Sequence, residues 1–213
     1  MKEVRYARKP MDRRFDTRGR AVVIINNRDT VGNIPLVSAT NLKRILLRIG
    51  TVMDPKEDIL FLYITTHGEP GRLSMWFPWL QLNDLNAGDR HRMLVAAGIK
   101  WKVLVISAGY SGSFIDALKD DDTLILTAAA ANRTSFDCSN ENDFTYCGEA
   151  FLRDQLAHRY SLTDAFLAAR LQATPRRYPS NGGRRSAPRF ARPSRRTYNV
   201  LPIPAGTALA AIP

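Results

Sequence analysis

Two short segments place reactive residue types directly after apolar runs. The run DILFLYITT at 58–66 is followed by His67 and Gly68, and the run KVLVISA at 102–108 is followed by Gly109. If the two runs are neighbouring parallel strands, about 4.8 Å apart, residues 67 and 109 lie within side-chain reach of each other. An imidazole facing a thiol forms a Cys–His dyad, whose thiolate attacks a carbonyl carbon. Opposite His67, however, this sequence has a glycine.

The backbone N–H groups at the ends of these two runs could also stabilise a negative charge. The N–H groups of residues 68 and 109 would point at an oxyanion that develops between the strands. Taken alone, a histidine at a strand end is an ordinary polar terminus. The case for a site therefore depends on the elements that position these residues.

Four apolar runs predict buried parallel strands, because they are rich in Val, Ile and Leu and lack polar alternation. Helical patterns alternate with them, which predicts an α/β fold with a mostly parallel sheet. Ser38 and Ser161 have the positions of helix N-caps, and Gly50 and Gly98 those of C-terminal stops. The strands are predicted at 21–27, 58–66, 102–108 and 123–129, and the helices at 39–49, 89–97, from near Ser111, 144–158 and after Ser161.

Three ordered blocks of sequence resemble one family. They read D-x-L-F-L-Y-x-T-x-H-G, A-G-I-K-W-K-V-x-V-x-S-A-(109)-Y-S-G-S-F and T-A-A-x-A-N-R-T-S-F-x-C-S-x-E-N-D-F-T-Y. Between about Arg14 and Arg170 the chain is similar to the legumain-like (asparaginyl endopeptidase) cysteine peptidases, in their bacterial form. The resemblance implies a caspase/hemoglobinase-like three-layer sandwich and cysteine-type hydrolysis of peptide bonds.

The resemblance also implies roles for individual residues. His67 matches the catalytic histidine, Gly68 the oxyanion-hole glycine, and Gly109 stands where the family has its nucleophilic cysteine. The match further implies a substrate-binding set, in which Ser107 replaces the acid of eukaryotic members and Glu149 falls on a pocket acid that is usually Asp. Thr134 and Ser135 complete that set, as the counterparts of serines near the specificity pocket.

The ends of the chain differ from its middle. Residues 1–20 carry eight Lys/Arg and three acids, a net +5, while residues 171–213 carry eight Arg and no acid. We therefore predict a basic N-terminal segment at 1–20, a peptidase-like domain at 21–170 and a disordered Arg/Pro-rich tail at 171–213. The first twenty residues are too polar for a buried strand, so the sheet is expected to lack the family's first, inner strand.

The sequence is compatible with three alternative functions. The first is a pseudopeptidase that binds a peptide or protein segment but does not cleave it, because Gly109 has no nucleophile. The second is an active endopeptidase whose cysteine was lost by mutation or sequence error. The third is a module that binds nucleic acid or an acidic partner through 171–213.

No cofactor or metal is expected from this sequence. No signal peptide or membrane span is visible, which makes the cytoplasm the default compartment.

Several other residues have structural interpretations. Cys138 and Cys147 are predicted to be separate thiols, and Ser111 to be a helix cap rather than a substitute nucleophile. Trp76, Phe77 and Trp79 are expected to pack in a hairpin or loop near the cleft, with substrate contact as the alternative. The acidic run at 120–122 is expected to be a solvated turn rather than a metal site.

Overall fold

The computed structural model describes residues 2–135, 144–173, 189–191 and 208–212. Its central sheet has six strands, all paired in parallel except the last two. In spatial order, with labels numbered along the chain, they are β1 (Ala21–Val23), β9 (Ala208–Ile212), β2 (Ile59–Thr65), β6 (Trp101–Ser107), β7 (Thr123–Thr127) and β8 (Arg189–Ala191).

The helices in the described residues are α1 (Lys2–Arg14), α2 (Ala39–Val52), α3 (Ala87–Ala96), α4 (Ile115–Leu118), α5 (Tyr146–Gly148) and α6 (Leu162–Ala173). Short 3-10 helices cover Arg28–Thr30 and Ser111–Phe114, and a π-helix covers Glu149–Gln155. A small antiparallel sheet of β3 (Gly68–Glu69), β4 (Arg72–Leu73) and β5 (Leu85–Asn86) follows β2 in the chain.

Each face of the central sheet has its own apolar core. Along β2, Leu60, Leu62 and Ile64 pack into the core that α2 and α3 cover, while Phe61 and Tyr63 point into the opposite core. That second core is covered by α1, the π-helix and α6. Because successive side chains of a strand alternate between faces, apolar residues at every position require cover on both sides. The predicted three-layer α/β sandwich is therefore confirmed.

Most of the predicted helix caps and helix stops are confirmed. Ser38 accepts a hydrogen bond from Asn41 N at 3.1 Å, and Ser161 accepts one from Asp164 N at 3.1 Å. Gly98 adopts φ +66°, as a helix stop does. Gly50, however, does not end its helix, since α2 continues to Val52. A Cβ at Gly50 would collide with the carbonyl oxygen of Ala97, so this glycine allows α2 to approach the end of α3.

Both ends of the chain contribute elements to the fold. Residues 2–14 form a helix that buries Val4, Ala7 and Met11, so this segment is not a strand but is part of the folded unit. The inner position of the sheet is filled by β9, which pairs in parallel with both β1 and β2. The tail that was predicted to be disordered thus contributes β8 and β9 to the sheet. The sheet is continuous because the C-terminal segment supplies an inner strand.

Candidate functional site

The ends of β2 and β6 lie side by side. Thr65 is paired with Ser107 in the parallel register, and Thr66 N donates to Ser107 O at 3.2 Å. His67 is two residues beyond Thr65, and Gly109 is two residues beyond Ser107. The prediction that these two tips are neighbours is confirmed.

Gly68 and Gly109 bring their backbones into close contact. A Cβ at Gly68 would overlap the carbonyl oxygen of Gly109, so only glycine fits at position 68. A Cβ at Gly109 would lie 3.1 Å from Gly68 O, which is tight but can be relieved by a shift of a few tenths of an ångström. Position 109 therefore has room for a small side chain, whereas position 68 does not.

His67 is exposed at the rim of this contact. Its carbonyl oxygen accepts a hydrogen bond from Ser74 N at 2.9 Å, which fixes the backbone after β2. Its imidazole makes no hydrogen bond or ion pair with the described part of the chain. The backbone of His67 is thus fixed at the end of β2, while its imidazole is open to solvent.

The segment after β7 closes the other side of position 109. A Cβ at Gly109 would be 3.5 Å from Ser135 N and 3.6 Å from the Cα of Thr134. Tyr110, which has a left-handed φ of 54°, donates its N–H to Arg133 O at 2.7 Å and so ties the two segments together. The structure therefore places Thr134 and Ser135 against the same point as Gly68.

Ser107 belongs to a buried polar cluster that the sequence did not predict. Its hydroxyl lies 2.9 Å from Thr145 Oγ1. The Glu3 carboxylate accepts hydrogen bonds from Tyr63 OH, from Thr145 N and, at 3.1 Å, from Thr145 Oγ1. Glu3 is only 3% exposed, and no cation among the described residues pairs with it. Gly148 allows this arrangement, because a Cβ there would collide with the Glu3 carboxyl group.

Burial raises the pKa of two side chains in and beside this cluster. Desolvation, reinforced by the Glu3 charge and by Cys147, raises the pKa of Tyr63 well above 10.0. Desolvation, again with the Glu3 charge, raises the pKa of Cys147 from 9.0 to about 12. The Cys147 thiol is free of any disulfide and is protonated at neutral pH, so it is a poor nucleophile. Cys138, its proposed companion, lies outside the described residues.

Glu149 lies beside this cluster, but its carboxylate has another partner. Its backbone N–H donates to Thr145 O at 2.9 Å, while its carboxylate forms an ion pair with Arg153, four residues later. The carboxylate bonded closest to Ser107 therefore belongs to Glu3, not to Glu149. Ser111 is not a cap: its hydroxyl accepts from Ala129 N at 3.0 Å and is completely buried. It anchors the segment after β7 and is inaccessible as a nucleophile.

The acidic run at 120–122 precedes β7 and so lies at the edge of the sheet opposite the site. Asp120 accepts from Asp122 N at 2.9 Å and pairs with Lys102 at 3.1 Å, as a turn residue does. The part of the chain that the structure describes has no group of three or more potential metal-ligating side chains. It also has no helix with the length and hydropathy needed to cross a membrane.

Comparison with known families decides the assignment. The model of the peptidase C13 family matches residues 37–176, which include both strand tips and the segment after β7. The chain belongs to the peptidase C13 family. This family is that of the legumain-like peptidases, so the resemblance drawn from the three sequence blocks is confirmed. No individually curated protein matches this C13 chain. C13 membership identifies the chain as related to cysteine-type peptide hydrolases.

Proposed function

We propose that this C13 chain is a pseudopeptidase, which binds a peptide segment between the tips of β2 and β6 without hydrolysing it. The carrying observation is the glycine at position 109, between the Gly68 carbonyl and the Ser135 amide. Hydrolysis by the cysteine route needs a sulfur at this point, and glycine supplies none. The backbone contacts that remain can polarise a carbonyl, but they form no covalent intermediate.

Two nearby side chains do not restore the chemistry. The Cys147 thiol has a pKa of about 12, and the residue packs against the apolar core on the α1 side of the sheet. The Ser111 hydroxyl is buried and bonded to Ala129. Neither offers an ionised or activated nucleophile to a peptide next to His67.

We assign peptide binding to the residues that surround position 109. Thr134 and Ser135 would border the bound side chain, and Ser107 would lie at the bottom of the same depression. Glu149 is assigned a peripheral place, since its carboxylate is paired with Arg153. The acidic group beneath the site is then Glu3, which approaches Ser107 through Thr145.

The test is to restore the sulfur. A Cβ at position 109 meets ordinary distances to Thr134 and Ser135 and only one tight contact, to Gly68 O, so Gly109→Cys should fold. We expect wild-type protein to leave fluorogenic Asn- and Asp-containing tripeptides uncleaved. Gly109→Cys should cleave them at least about 100-fold above wild-type background, in a thiol-dependent reaction.

The matched control is Gly109→Cys combined with His67→Ala, which retains the thiol and removes the base. Activity that survives in the double variant would show that His67 is not the partner of position 109. Cleavage by wild-type protein would reject the pseudopeptidase directly. Binding of an uncleaved peptide to wild-type protein, measured by fluorescence anisotropy, tests the retained cleft independently of catalysis.

Polyanion binding through the tail is a second candidate. Residues 171–213 carry eight arginines and no acid, a pattern that favours nucleic acid or an acidic partner. Salt-sensitive retention on heparin that weakens when Arg192, Arg195 and Arg196 are replaced by Gln would support it. These three replacements leave the residues of β8 and β9 unchanged.

A further inference from the structure

Two tryptophans are displayed beside the candidate site. Trp76 is 73% exposed and Trp79 is 85% exposed, and Leu80 next to them is 47% exposed. They lie in the segment 74–84, here named the tryptophan hairpin, which connects β4 to β5. The expectation that these aromatic side chains pack in a hairpin or loop is wrong for both tryptophans, which are exposed. The backbones of Phe77 and Leu80 form an isolated β-bridge.

We propose that the tryptophan hairpin binds apolar side chains of the same peptide that occupies the site at position 109. The inference rests on the proposed function and names the class of peptide: one that carries an aromatic, proline or aliphatic residue a few positions from the residue bound between the strand tips. It adds a second contact surface to the cleft.

The base of the hairpin is attached to the site. Ser74 N donates to His67 O at 2.9 Å, and Thr66 Oγ1 donates to Ser74 O at 2.8 Å. Met75 N donates to Asp84 Oδ1 at 2.9 Å, and this bond joins the two ends of the hairpin across its base. Trp76 follows Ser74 by two residues, about 7 Å of extended chain. The base of the hairpin therefore adjoins the tip of β2, within two residues of Trp76.

The tip of the hairpin holds Trp79 in an unfavourable conformation. Trp79 has φ +60°, in the left-handed region that bulky residues avoid. Leu80 N donates to Phe77 O at 3.3 Å across the turn, so the indole is directed outward. Because the side chain is almost fully exposed, burial does not offset this strain. Strained and exposed aromatic residues of this kind are concentrated at binding surfaces.

Arg28 fixes the displayed ring. Its guanidinium lies 4.0 Å from the centre of the Trp79 ring, in a cation–π contact. Arg28 itself stands in a 3-10 helix whose cap is formed by Asn27, which accepts from Asp29 N at 2.8 Å. One face of the indole is thus occupied by Arg28, which restricts the ring before a ligand binds. A preordered aromatic ring costs little further entropy on binding.

Charge favours a peptide over a lipid surface. The charged residues around the hairpin nearly cancel, whereas the positive excess of the chain lies at 1–20 and 171–213. An anionic membrane would require that excess beside the tryptophans. A peptide with apolar side chains requires only the aromatic surface next to the cleft. The charged residues at the hairpin are Arg28, Asp29, Glu69, Arg72 and Asp84.

The experiment compares two fluorescein-labelled octapeptides that share an Asn and differ three positions away, where one has Leu and the other Ser. Wild-type protein is expected to bind the Leu peptide about tenfold more tightly. Trp79→Gly and Trp76→Ala should each reduce this preference at least threefold, while affinity for the Ser peptide stays unchanged. Val95→Ser, at a 65% exposed position on α3, is the matched control and should retain the preference.

Trp79→Gly also separates binding from folding. Glycine adopts φ +60° without strain, so the urea midpoint of this variant should not fall below that of wild type. A Leu preference that survives in both tryptophan variants would overturn the inference, as would equal binding of the two peptides by wild type. Phosphatidylserine vesicles that bind through the tryptophans, with no peptide preference, would also overturn it. Failure of both peptides to bind would overturn the proposed function as well.

Discussion

The carboxylate of Glu3 accepts a hydrogen bond from the hydroxyl of Tyr63, which is 60 residues away in the chain. The pair joins the first turn of α1 to the middle of the central sheet, directly beneath the strand tip that carries Ser107. Since both side chains are buried, at 3% and 1% exposure, this contact ties the N-terminal helix to the site. The helix therefore packs beneath the strand tip that carries Ser107.

Removal of the Glu3 carboxylate should destabilise the fold. Glu3→Ala leaves the Tyr63 hydroxyl and the Thr145 N–H without their acceptor in a buried place, which costs about 1–3 kcal/mol. Glu3→Gln retains one acceptor oxygen and should lose less. Urea unfolding measures both. Glu149→Gln, which removes only a surface ion pair with Arg153, is the control and should change stability by less than about 1 kcal/mol. A Glu3→Ala variant as stable as wild type would exclude this role.

Cys147 should be unreactive in the native state. Its pKa of about 12 leaves a thiolate fraction near 10⁻⁴ at pH 8, so iodoacetamide should label it more than about 100-fold more slowly than in urea-unfolded protein. Peptide mapping by mass spectrometry follows the site. Gly109→Cys supplies the internal comparison, because its new thiol lies next to an exposed His67. Rapid native labelling of Cys147 would contradict the raised pKa of this thiol.

The raised pKa of Cys147 also predicts that the protein loses stability at alkaline pH. The folded state holds the Cys147 thiol protonated up to a pKa of about 12, whereas the unfolded chain ionises near 9.0. Stability is therefore fully present below pH 9 and falls as the pH rises from 9 toward 12. The raised pKa of Tyr63 acts in the same direction above pH 10. Between pH 7 and 10.5, the free energy of unfolding should decline less steeply in Cys147→Ala than in wild type. Parallel curves of unfolding free energy against pH for the two proteins would show that Cys147 does not contribute to the alkaline loss of stability.

Gly50→Ala should destabilise the protein although it improves helix propensity. Within α2, alanine is intrinsically better than glycine by about 1 kcal/mol. The added methyl group, however, would collide with the carbonyl oxygen of Ala97, and backbone cannot rotate away. We expect a net loss of about 2 kcal/mol or more. Gly32→Ala, where a Cβ meets open space, is the control and should be neutral. An increase in stability for Gly50→Ala would show that α2 and α3 are farther apart.

The sequence predicted the middle of the fold well, because the apolar runs there indicate both a strand and its burial. Strands β2, β6 and β7 are apolar at nearly every position, which only a doubly covered strand tolerates. The juxtaposition of His67 and Gly109 followed from the geometry of parallel strands. Gly50 was misread since a glycine near a helix end usually marks a stop, and its true constraint is a contact with α3 that no local pattern encodes.

The cluster around Glu3 was missed for a different reason. The basic residues of 1–20 obscured an apolar stripe at Val4, Ala7 and Met11, whose spacing is that of one helix face. Counting that spacing would have predicted α1. It would not have predicted the bond from Glu3 to Tyr63, because a buried acid among neutral donors depends on partners far away in the chain. The segment of β9 is short and weakly apolar, so the sequence did not predict that it forms an inner strand of the sheet.

The C-terminal strand supplies the last prediction. Ala210 is paired with Val22 on one side and with Leu62 on the other, so its N–H lies in a ladder whichever neighbour it bonds. Ala210→Pro removes that N–H and cannot be accommodated inside a sheet, and it should cost about 3 kcal/mol or more. Pro204→Ala, outside the strand, is the control. Hydrogen exchange at 60–64 should accelerate in Ala210→Pro, since β2 would lose a neighbour. If urea stability and exchange both match wild type, residues 208–212 do not complete the sheet.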